Sequence, residues 1–120
     1  MSFLNAFTNV VVRFADELIE LYPDELQFKT GKSAIVLIKR TNPRLLVHIF
    51  KAYIDPWREH IQKRDESFFM SKDYTKEAME DENVLMLISR LKDKWPNIGE
   101  KNQTAIWKYM DTLILLMDKC

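Results

Sequence analysis

The most regular pattern in the chain lies at its start. Phe3, Phe7, Val10, Val11, Phe14, Leu18 and Leu21 recur at steps of three and four. That spacing draws one apolar stripe along a helix of about five turns. Asn5, Thr8, Asn9, Arg13, Asp16, Glu17 and Glu20 fall largely on the other side. Tyr22-Pro23-Asp24 ends the pattern, because a residue before proline is pushed out of the α region. Residues 24–32 read as a connection containing Gly31.

The run Ser33 to Arg40 is apolar and β-branched at its centre, and its length suits either a buried strand or a short buried helix. A lone strand would have no partner for its backbone groups, which favours the helix. Asn42-Pro43 then forms a helix start, with Asn42 as N-cap and Pro43 at the first helical position. Leu46, Ile49, Phe50, Tyr53 and Ile54 give its apolar face. Asp55-Pro56 breaks or kinks the helix, and Trp57 and Ile61 continue the same face beyond it.

Ser67-Phe68-Phe69-Met70 is an apolar knot between charged flanks. Asp73 caps a further segment with Lys76 to Glu80 inside it. Val84, Leu87, Ile88, Leu91 and Trp95 form another stripe, closed by Trp95-Pro96-Asn97. The last helix runs from about Lys101 to Lys119, with Ile106, Met110, Leu113 and Met117 as its stripe. Trp107, Tyr109, Ile114 and Leu116 widen that stripe, which predicts a central position. The expected fold is all-α, a single compact bundle of five to seven helices covering residues 1–120.

Composition agrees. Of 120 residues, 47% are hydrophobic and 30% charged, as in one globular domain rather than a disordered tail. Two glycines and four prolines are too few for the many tight turns of a sheet-rich fold. The lone cysteine, Cys120, allows no internal disulfide, so a reducing compartment is expected. No apolar run approaches the ~20 residues of a transmembrane segment. The first residues show no signal-peptide pattern, and an intracellular protein of cytoplasm or nucleus is expected.

Catalytic chemistry finds little support. Gly31-Lys32-Ser33 matches the tail of a phosphate-binding loop, but Leu26 stands where the first glycine is needed. His48 and His60 are twelve apart and lack neighbouring ligands for zinc. His48 reads as a core or boundary residue, and His60 is placed to pair with a nearby carboxylate such as Asp55 or Glu59. Asp16, Glu17, Glu20 and the Glu80-Asp81-Glu82 run read as solvated surface. No cofactor or metal is expected, and the protein reads as non-enzymatic.

Charge changes the picture. The total is zero, yet residues 1–25 carry one Arg against five acids, a net −4. Residues 26–54 hold no acid and six basic residues, Lys29, Lys32, Lys39, Arg40, Arg44 and Lys51, a net +6. The remainder carries −2. The basic segment either faces an anionic partner such as nucleic acid or packs beside the acidic first helix. Lys39, Arg40 and Arg44 bracket a helix start and are candidates for an anion site. Phe68, Phe69 and Met70 lie off the long stripes and are candidates either for an apolar partner contact or for a core plug.

Trp95-Pro96-Asn97, followed by Asn102 to Leu113, resembles a stretch in small uncharacterised helical proteins of large nucleocytoplasmic DNA viruses. There an Asn/Lys-containing turn precedes an Ile-Trp-x-Tyr-Leu-type helix, and here Met110 stands in the Leu position. The first helix ending in Leu21-Tyr22-Pro23-Asp24 is similar as well. The resemblance implies a viral accessory or virion component and carries no catalytic residue with it. The expected role is a helical protein–protein interaction module with a protein partner or as a homo-oligomer. The alternative is a nucleic-acid-associated protein using the basic segment.

Overall fold

The stripe of the first helix is the axis on which the bundle assembles. In the computed structural model, which describes residues 2–71 and 82–120, α1 spans Phe3–Leu21 and buries Phe7, Thr8, Val11, Phe14, Ala15 and Leu18. Its start is capped by Ser2, whose Oγ accepts the Asn5 N–H at 3.1 Å. After the turn at Tyr22 to Glu25, α2 spans Leu26–Thr41, α3 Pro43–Ile54, and a 3₁₀ turn Asp55–Trp57 leads into α4, Arg58–Gln62. A short α5, Ser67–Ser71, is followed by α6, Glu82–Lys94, a second 3₁₀ turn Trp95–Asn97, and α7, Glu100–Asp118. No strand occurs among the described residues. The segment read as capped by Asp73, with Lys76 to Glu80 inside it, lies outside the described residues, as does Asp81.

The all-α bundle is therefore what this sequence folds into. Ser33 to Arg40 is helical, which resolves the strand alternative. The connection expected over residues 24–32 is much shorter, because α2 already begins at Leu26 and Gly31 lies inside it. The glycine serves packing rather than turning. A Cβ at Gly31 would stand 2.6 Å from Leu87 Cδ1 and 2.8 Å from Leu87 Cβ. Only a hydrogen at this position lets α2 approach α6 so closely.

The Asp55-Pro56 break behaves as expected, and Trp57 and Ile61 beyond it stay buried, as Tyr53 and Ile54 do before it. Gly99 starts α7 with φ 94, a left-handed conformation that favours glycine. The expectation that the last helix is central is overturned. Only Ile106, Leu113 and Met117 of α7 are buried, and Leu115 is 58% exposed. Its wide apolar surface is half-covered at the periphery, while α1 and α2 hold the centre.

The core draws on every long helix. Phe7 meets Phe50 of α3 edge-on at 5.9 Å, and Phe14 meets Tyr109 of α7 at 5.1 Å. A second set of rings closes the α4–α5 end: Trp57 contacts Phe68 and Phe69, Phe69 contacts Trp95, and Trp95 contacts Trp107, at 5.4–6.0 Å. Edge-to-face pairs of this kind add about 0.5–1.5 kcal/mol each beyond area burial.

Candidate functional site

The six basic residues of the +6 segment divide by helix geometry. Lys32 and Lys39 sit on the side of α2 that faces α1. Lys32 Nζ lies 2.5 Å from Asp16 Oδ1, and Lys39 Nζ donates to Asn9 Oδ1 at 2.6 Å. Lys51, on α3, is exposed and lies in the field of Asp118, helping to hold that carboxyl below its usual range after the larger effect of Arg58. The anion site expected from Lys39, Arg40 and Arg44 does not form as a set, because Lys39 turns to α1.

Lys29, Arg40 and Arg44 point the other way. All three are exposed and make no ion pair among the described residues. Lys29 and Arg40 share their face of α2 with Leu26, Ser33 and Leu37, since seven, eleven and fourteen residues return to nearly the same side of a helix. Leu26 is 68% and Leu37 60% exposed. A shallow groove beside α1 is lined by Ile19, Lys29, Lys32, Ser33, Leu37 and Arg40. Two leucines flanked by cations thus form an unpaired face on a helix that carries no acid.

Phe68, Phe69 and Met70 are half-buried and packed on the core. They describe a plug over Trp57 and Trp95 rather than an open patch. His60 stacks on Phe68 at 4.5 Å with 10° between planes, and its Nδ1 lies 3.0 Å from Asp65 Oδ2. Asp65 also accepts the Ser67 N–H and hydroxyl, and those bonds, the hydroxyl first and His60 next, lower its pKa to about 2. The partner of His60 is therefore Asp65, while Asp55 pairs with Arg58. His48 is exposed on α3 rather than set in the core.

Two arginines that the sequence pattern does not single out tie α4 to α7. Arg58 forks onto Asp118 at 2.6 and 2.9 Å, and Arg64 onto Asp111 at 2.6 and 3.0 Å. Their hydrogen bonds hold both carboxyls below the usual carboxylate range. Tyr109 is pushed up to about 12, by burial first and by its hydrogen bond to Glu17 second.

The phosphate-loop fragment has no such role. Gly31, Lys32 and Ser33 lie within α2, where backbone N–H groups bond to the carbonyls four residues back and cannot wrap a phosphate. Among the described residues no cluster of His, Cys, Asp and Glu is arranged to hold a metal ion, and no helix is long and apolar enough to cross a membrane. Cys120 is exposed at the chain end. No family model, curated protein or solved structure matches the chain.

Proposed function

We propose that the protein is a helical interaction module that presents the outer face of α2 to an acidic protein partner. The observation that carries this reading is the pairing of exposed Leu26 and Leu37 with Lys29 and Arg40 on one face. Nucleic-acid faces are cationic and polar, and two leucines held in water fit an amphipathic partner helix better. The basic charge supplies steering and orientation, and the leucines supply buried apolar area. Arg44, at the start of α3, extends the positive field past the end of α2. The resemblance carried by Trp95 to Leu113 supports a viral accessory or virion setting for such a module.

Panning a displayed peptide library against the intact protein tests the reading. Expected binders are acidic helices with leucines at steps of three and four. Leu37→Ser combined with Arg40→Glu should abolish their binding while leaving Tm nearly unchanged, because exposed substitutions fall within about 0.5 kcal/mol. Binders that ignore these substitutions would overturn the α2 assignment. A DNA or RNA oligonucleotide bound at low salt, with an affinity insensitive to Leu37→Ser, would replace the peptide reading with the nucleic-acid one. Light scattering distinguishes a second copy of this chain from a different protein.

A further inference from the structure

The interior holds a cavity of about 80 Å³ to which every helix contributes wall residues. Ala15, Ile35, Val84, Trp57, Trp95 and Trp107 are among them. One water needs about 10–15 Å³ of such space and two to four polar partners. The volume is ample and the partners are missing, because the wall is apolar almost throughout. Among the described residues the ionisable groups on it are Asp65 and His60, on the α4–α5 side, which face each other at 3.0 Å, with Ser67 engaging the other Asp65 oxygen. Packed interiors leave few voids larger than a water molecule, and an apolar void of this kind stays dry and admits apolar guests.

We propose that this cavity is a binding site for one small, uncharged, apolar molecule, of the order of a single ring or a short alkyl chain. Aromatic side chains on several walls favour an aromatic or other polarisable guest, which meets ring edges and faces at contact distance. Charged ligands are excluded, since nothing inside would replace their hydration. The α4–α5 wall gives the guest its route, for Phe68, Phe69 and His60 there are only half-buried. This site is internal and stands apart from the α2 face, so either assignment survives the failure of the other.

All three tryptophans line the cavity, so their fluorescence reports directly on occupancy. Benzene titrated into the full-length protein should give a saturable change in tryptophan emission and an upward shift of Tm. Xenon should give a bound ¹²⁹Xe resonance, and benzoate should do neither. Ala15→Val, which fills the void, should remove benzene and xenon binding with Tm held or raised. Val84→Ile provides the same test from the α6 wall if Ala15→Val does not fold. The proposal is overturned by the absence of saturation up to the solubility of benzene. Benzene binding that persists in a filled variant overturns it too, as does a clear loss of Tm in Val84→Ile, where one β-branched side chain replaces another and only a single added methyl group is left to be accommodated.

Discussion

Arg64 occupies a conformation that its side chain does not favour. Its φ is 56, in the left-handed region that costs an L-residue about 1–2 kcal/mol. It closes α4 by a Schellman arrangement: the Asp65 N–H donates to the His60 carbonyl at 2.8 Å, and the Arg64 N–H donates to the Ile61 carbonyl at 3.1 Å. Glycine is the usual residue there. Arginine instead sends its guanidinium to Asp111 and across the Trp107 ring at 5.6 Å. Arg64→Ala should therefore be less stable than Arg64→Gly by about 1 kcal/mol, since both lose the fork but only glycine relieves the backbone. Urea denaturation midpoints decide it, and equal midpoints would mean that the left-handed turn is unstrained. This role is invisible in the local sequence, because arginine signals no turn and its partner is 47 positions away.

At the scale of elements, Gly31 governs how α2 meets α6. Gly31→Ala raises helix propensity by about 1 kcal/mol, yet its methyl would fall inside the Leu87 side chain. Overpacking of a tight contact costs about 1–3 kcal/mol, so the net expectation is a loss of stability. Leu87→Ala in the same chain should recover part of it, and a double-mutant cycle of unfolding free energies measures the coupling. Additive effects would place Leu87 elsewhere than against Gly31. The same glycine explains why the start of α2 is misjudged from sequence. Glycine near Pro23 reads as punctuation, and only the partner helix reveals a close approach. The stripes of α1, α3 and α6 were legible because each buries one face, as periodicity demands. The wide stripe of α7 misled, since its apolar residues are shared between contact and solvent. The basic segment was legible as charge, but its split required the angular positions of Lys32 and Lys39 against α1.

At the scale of the molecule, zero net charge conceals a fold clamped by carboxylates. Asp65, Asp111 and Asp118 are all held below their ordinary pKa in the folded state. A depressed carboxyl contributes stability that is complete above its unfolded value, near 4, and is lost as pH falls through the folded value. Melting temperature should therefore fall from about pH 4 downward, continuing to about pH 2 as Asp65 protonates. Asp111→Asn combined with Asp118→Asn should lower Tm at neutral pH and make the acid slope shallower. An unchanged slope would remove the arginine forks from the account.

The contact between α1 and α7 matters before the fold exists. Phe14 finds Tyr109 only after about 95 further residues have been made. At about 5–20 residues per second of synthesis, the side of α1 meant for α7 waits on the order of 5–20 s, a long exposure for a phenylalanine-rich stripe. Closure of this contact is thus a late event of synthesis, and until then α1 presents its phenylalanine-rich side to solvent and to any chaperone at hand.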